Sequence, residues 1–149
     1  MSELLWSAVI TGDTRTKKNS PRIVGAGRKC PACGKQAKQW IVPSKAHDLW
    51  FRASCRQLAG QIPPETIAGP VQLVYTVWTG TRRKVDDLNL YGAIDDLLVA
   101  CKVIDDDNVN VIRSRDGSRV LYDPDAPRVE IRIFRATEAG QQLELEVMR

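Results

Sequence analysis

The sequence predicts an α+β domain in which a mixed, mostly antiparallel sheet is packed by two helices. Three observations carry this expectation. Val71, Leu73, Tyr75 and Val77 alternate with polar or smaller neighbours across PVQLVYTVWTG (Pro70–Gly80), as a strand with one buried face does. RVEIRIF (Arg128–Phe134) alternates in the same way. Between them, Leu90, Ile94, Leu97, Leu98 and Cys101 recur at helical spacing over Asp87–Cys101.

At 149 residues the chain is long enough to bury a core as one domain spanning 1–149. LLWSAVIT (Leu4–Thr11) has the composition of a first strand. The N-terminus carries an early Glu and no basic stretch, so no secretory signal is expected. Gly12 to about Lys38 is rich in Gly, Lys, Arg, Ser and Pro without periodicity and reads as a long loop, a kind usually tied to function. Ser44 is placed to cap a helix running to about Gly60. Leu49, Trp50, Ala53 and Leu58 form its expected apolar face, and Pro63 and Pro64 prevent its continuation. The second helix has Asp86 or Asp87 as N-cap. VIDDDNV (Val103–Val109) reads as the entry to a core strand, followed by a hairpin of VNVIRSR and SRVLYD around Asp116-Gly117. The tail after Ala136 has no assigned element.

No apolar run approaches the roughly 20 residues that cross a bilayer, which excludes a helical membrane protein. Charge is divided unevenly. Residues 1–85 hold 14 Lys/Arg against 4 Asp/Glu, and residues 86–149 hold 8 against 14. A basic half beside an acidic half suits a protein that attracts a polyanion and acts on it with a metal.

Three stretches carry candidate chemistry. Asp86 and Asp87 open the second helix, and Asp105, Asp106 and Asp107 follow it. Adjacent carboxylates repel, and a hard cation such as Mg²⁺ would relieve them; helix caps and a solvated turn are the alternative use of the same residues. TRTKKNSPRIV (Thr14–Val24) offers Lys17, Lys18 and Arg22 with Asn19 and Ser20, the donor set that phosphate backbones take, or else a solvated basic loop. RKCPACGK (Arg28–Lys35) contains Cys30-Pro-Ala-Cys33-Gly, half of a zinc knuckle. Structural zinc takes four ligands. Completion by the same knuckle of a second subunit, or by Cys55, Cys101 or the single histidine His47, stays open. Without an export signal, reduced thiols or a metal are favoured over disulfides.

The ordered segments KKNSPRIV, IVPSKAHDLWFRA, KVDDLNLYGAIDDLLVACKVIDDDNV and RSRDGSRVLYDPDAPRVEIRI resemble the RusA family of Holliday-junction resolvases, closest to phage and prophage members. The resemblance spans roughly Thr14 to Ile133. It implies a RusA-like fold and a homodimeric, Mg²⁺-dependent endodeoxyribonuclease that cuts branched DNA in recombination or repair, with Mn²⁺ able to substitute. It further implies action in the cytoplasm of a bacterial host. Asp86 matches the first aspartate of the family's helix-start motif and Asn89 its asparagine. Asp105 and Asp106 match its Asp-Asp pair; a shift of one residue makes that pair Asp106 and Asp107. Catalytic and metal roles therefore fall on Asp86, Asp106, Asp105, Asp87 and Asp107. Phosphate contacts fall on Lys17, Lys18, Asn19, Arg22, Arg82, Arg83, Lys84 and Lys102. Two motif positions differ: Leu88 stands at the second aspartate, and Tyr91 and Gly92 stand where a lysine follows. Asp87 or Asp107, and Lys84 or Lys102, are the substitutes at hand. A fold of this kind that binds branched DNA without cutting it is the alternative.

Overall fold

The computed structural model describes residues 2–17, 21–25, 27, 29–36 and 38–137. Lys18, Asn19 and all but the first residues of the tail after Ala136 lie outside the described residues. The elements run β1 (Leu4–Thr11), β2 (Arg22–Val24), β3 (Trp40–Val42), α1 (Lys45–Ala59), β4 (Val71–Thr79), α2 (Asp87–Ala100), β5 (Ile112–Ser114), β6 (Arg119–Tyr122) and β7 (Arg128–Arg135). The architecture is α+β: a five-stranded mixed sheet, mostly antiparallel, with two helices.

The main sheet has the order β1-β7-β4-β5, with β6 also on β4. β7 runs antiparallel to both β1 and β4, and these are the longest ladders. Val129, Ile131 and Ile133 of β7 turn to the same core as Leu73, Tyr75 and Val77 of β4 and Ile10 of β1. Leu90, Ile94, Leu97 and Leu98 of α2 pack into it, joined by Trp50 and Leu58 of α1. Each such fully buried aliphatic side chain contributes about 1.5–3 kcal/mol.

Three expectations are corrected. The Gly12–Lys38 segment is not loop throughout: β2 pairs with β3 as a two-stranded antiparallel ribbon outside the main sheet. The stripe that α1 buries is His47, Trp50, Ser54 and Leu58, while Leu49 and Ala53 are exposed. Apolar residues one position from the stripe sit about 100° around the helix, and the actual stripe includes two polar residues that a hydrophobicity pattern misses. Finally, β5 and β6 do not form a hairpin. Both lie parallel to β4, Val71 opposite Ile112 and Thr76–Thr79 opposite Arg119–Tyr122. They are two pieces of one edge, interrupted at Arg115–Ser118. The turn signal at Asp116-Gly117 is real, with Gly117 at φ +86° and the Ser118 N–H donating to the Arg115 carbonyl at 3.1 Å. It makes a kink instead of a reversal, and the Tyr75 N–H donates across it to Ser118 Oγ at 3.0 Å. A strand reached through a crossover helix joins its sheet in parallel, and α2 is that crossover.

α2 starts at Asp86, whose carboxylate accepts from the Leu88 N–H at 3.0 Å. It ends in a Schellman turn: the Lys102 N–H reaches the Val99 carbonyl and the Val103 N–H the Leu98 carbonyl, with Lys102 left-handed at φ 57°. Asp95 lies on the buried side of this helix, accepting from Tyr75 Oη at 2.6 Å and from Arg115 Nε at 3.1 Å. Arg115 Nη2 completes a two-pronged contact with the same carboxylate. Burial raises the Asp95 pKa, with the Arg115 and Tyr75 hydrogen bonds acting against it.

Asp95→Ala is expected to cost about 2–4 kcal/mol in urea unfolding, because Arg115 and the Tyr75 hydroxyl both lose their acceptor in a largely buried place. Adding Arg115→Met should recover part of that loss. Losses in Asp95→Ala and Arg115→Met that simply add in the double variant would show that the pair contributes nothing as a unit.

Candidate nucleic-acid and metal site

Five carboxylates were expected to gather; the structure gives most of them local duties. Asp86 caps α2, and Asp87 also accepts from the Leu88 N–H, at 2.9 Å. Asp106 closes the turn from within, accepting from the Asp107 N–H at 2.7 Å and from Asn108 Nδ2 at 2.6 Å. The Asp107 N–H, followed by the Asn108 side chain, holds the Asp106 carboxyl below the ordinary range. Val103 and Ile104 are buried, and Ile104 forms an isolated parallel bridge to Ile67. From Asp105 to Asn110 the chain is exposed, with Val109 77% exposed. VIDDDNV therefore leaves the core after its second residue. Its aspartates sit on a surface turn.

Among the described residues no three His, Cys, Asp or Glu side chains stand close enough to hold a metal together. The turn nevertheless carries Asp107 back along α2. There it lines a shallow groove together with Asn89, Gly92 and Asp96 of α2 and with Thr16 and Lys17. Lys17 Nζ is 2.8 Å from Asp96 Oδ2. Two further depressions adjoin through the same two residues. One lies between Arg15, Ser44 and Arg83, the other between Pro43, His47 and Arg52. The segment Thr14–Lys17 is thus the floor between the start of α1 and one side of α2. The Thr14 and Thr16 side chains are buried and their hydroxyls have no partner among the described residues.

The basic residues divide. Lys17 lines the groove, Arg15 and Arg83 line one adjoining depression, and Arg52 the other. Arg83 also contacts Thr81 Oγ1 at 3.0 Å and lies 3.9 Å from Asp13. Arg22 is tied to Asp48 at 2.8 Å and to the Pro43 carbonyl at 3.2 Å. Arg82 lies over the Tyr122 ring, 4.5 Å from its centroid. Lys84 is exposed, and Lys102 ends α2 outside the groove lining.

Asp95, Asp96 and Arg115 were not singled out in the sequence. The available signal was Asp95 itself, spaced four after buried Tyr91 and three before buried Leu98 on an otherwise apolar stripe. The charge of Asp107 acts on both Asp95 and Arg115, so the buried pair and the surface turn share one electrostatic neighbourhood.

The cysteines form two separate pairs. Cys101 Sγ is 3.5 Å from Cys55 Sγ, linking the end of α2 to α1. Burial, then its contact with Cys55, pushes the Cys101 thiol up to about 12. Cys30 and Cys33 are exposed on the segment between β2 and β3. No described residue set joins the two pairs or adds His47 to either.

The chain matches no family model and no curated sequence. No helix among the described residues is long and apolar enough to cross a membrane.

His47 gives the groove a measurable pH response. It is buried against Trp50 and Phe51, with neither ring nitrogen hydrogen-bonded among the described residues. Burial, and after it the charge of Lys17, lowers its pKa; Asp48 and Asp96 act weakly the other way. Because the folded value lies below the unfolded one, near 6.5, the unfolded chain takes the proton first on acidification. Stability is therefore complete above that value and falls as pH drops through it. The melting temperature should decline between about pH 7 and pH 5, and His47→Phe should flatten that interval. Parallel curves for the two proteins would show that His47 does not titrate between its folded and unfolded states.

Proposed function

We propose that this protein binds the phosphate backbone of branched DNA along the Thr14–Lys17 groove and hydrolyses a phosphodiester bond there with Mg²⁺. One observation carries the reading: Asp107 and Asp96, from the acidic half, line one groove together with Lys17, from the basic half, and Arg15 and Arg83 line the depression that adjoins it. The order of the motifs, resembling RusA resolvases, narrows the substrate to four-way and other branched junctions, and adds a homodimer to cut them symmetrically.

The donor set fits a hard divalent ion of modest demands. Asp96 and Asp107 are carboxylates and Asn89 an amide, all oxygen donors on one groove, and Mg²⁺ is usually held by one or two carboxylates, waters and substrate phosphate. Mg²⁺ supplies a lowered pKa for an attacking water and charge neutralisation at the leaving oxygen. Lys17 neutralises Asp96 in the free protein and is positioned to exchange that partner for a phosphate. Arg15, Arg83 and Arg52 extend the positive track on either side. Asp106 holds the turn that presents Asp107, and Asp86 fixes the start of α2 beneath Asn89. The second reading, a fold that binds branched DNA without cutting, is favoured by the Lys17–Asp96 contact, which occupies one of the two groove carboxylates that a metal would need.

A synthetic four-way junction incubated with Mg²⁺ should be nicked, and EDTA should abolish this. Asp107→Asn should slow cutting by about 10²-fold or more while junction binding persists. Lys17→Ala should weaken binding and reduce the slope of log affinity against log salt by about 1. Binding with no cutting in Mg²⁺ or Mn²⁺ would favour the second reading, and binding insensitive to salt would dismiss both.

A further inference from the structure

The segment between β2 and β3 is an arm built as half of a metal site. Lys29 and Gln36 bridge across it, the Cys30 N–H donates to the Lys35 carbonyl at 2.8 Å, and the Gly34 N–H returns to the Cys30 carbonyl at 2.8 Å. Gly34 has φ +67°, a left-handed conformation that favours glycine, and nothing stands within 4 Å of where a Cβ would be. This tight turn holds Cys30 and Cys33 on one short loop, both exposed.

Two thiolates are half of what structural zinc takes. Within one chain nothing described completes the set: Cys55 and Cys101 are engaged with each other, and His47 is buried beneath α1. The ribbon beside the knuckle has an open apolar face. Ile23 and Ile41 are directly opposed in the register and are 63% and 73% exposed. Its other face is the one held to α1, through Arg22 and Asp48. The charges are complementary to a shared site as well. Lys29 and Lys35 flank the knuckle, so two arms would repel, whereas zinc with four thiolates carries a net charge of about −2 and would sit among four lysines.

We propose that two copies of this chain join through their arms, Cys30 and Cys33 of each supplying half of a four-thiolate zinc site, with the Ile23/Ile41 faces covered in the same contact. Four Zn–S bonds form and the thiol protons pass to solvent, with no redox step. The contact would supply the homodimer that the nuclease reading calls for, but its readouts, metal content and mass, involve no cutting, so either can fail alone.

The test uses the full chain under reducing conditions, with zinc measured by elemental analysis and mass by light scattering on a sizing column. The expected result is a dimer with about one zinc per two chains, converted to monomer by a zinc chelator and restored by zinc alone. Co²⁺ in place of zinc should give the absorption of a tetrahedral thiolate site, saturating at the same ratio. Cys30→Ser should lose both metal and dimer while keeping the wild-type thermal unfolding of the main sheet, and Ile41→Glu should move dimerisation to higher concentration at unchanged cysteine content. One zinc per monomer, a dimer that survives chelation, or a monomer without zinc would each overturn the proposal. An unchanged dimer in Ile41→Glu would remove the apolar face from it.

Discussion

Asp95 takes a carboxylate to the buried side of α2, and Arg115 comes back to meet it. The two residues belong to different arms of one crossover. Asp95 lies two-thirds of the way along α2, and Arg115 stands at the break between β5 and β6. Tyr75, on the central strand, holds the same carboxylate from below. Three elements that an apolar core could pack in several relative positions are thus referred to one charged point. A buried pair is not in itself a large source of stability, since desolvation offsets much of the attraction. Its contribution here is geometric: it fixes where the edge kinks and therefore where the preceding turn, with Asp107, is carried.

That placement explains how the acidic segment can lie beside α2 although the helix leads away from its own start. After the Schellman turn at Lys102, two buried residues, Val103 and Ile104, anchor the chain to Ile67. The turn that follows is stabilised from within by Asp106, Asn108 and the backbone, so it needs no core to hold its shape. In a run of three like charges, Asp106 holds the shape of the turn and Asp107 lines the groove.

The legible part of the fold is the part where one residue type dominates one face. β1, β4, β7 and α2 follow directly from alternating or helical spacing of large aliphatic residues. α1 follows from its spacing and so do Trp50 and Leu58 on its buried side, but His47 and Ser54 stand there in place of Leu49 and Ala53, which hydrophobicity favours. The β5–β6 edge was misread for a different reason. Asp-Gly marks a turn, but whether a turn reverses the chain depends on which strand edge is free, and that is decided by β7 having occupied the other side of β4. The site shows the same division. Asp86 as a cap follows from local rules, whereas the meeting of Lys17, Asp96 and Asp107 depends on three segments whose approach no spacing encodes.

The groove's electrostatics rest in part on two ion pairs that cations of the basic half make with the helices. Arg22 and Lys17 of the Thr14–Val24 segment both find carboxylates, Asp48 on α1 and Asp96 on α2. Exposed pairs of this kind contribute about 1 kcal/mol or less each, too little to hold the segment against a competing polyanion. A phosphate backbone presents the same kind of oxygen in a repeating array, and releases counterions as it binds. Contacts weak enough to exchange and numerous enough to order the segment are what a groove needs if it is to keep its shape when empty and still give up its cations to a nucleic acid.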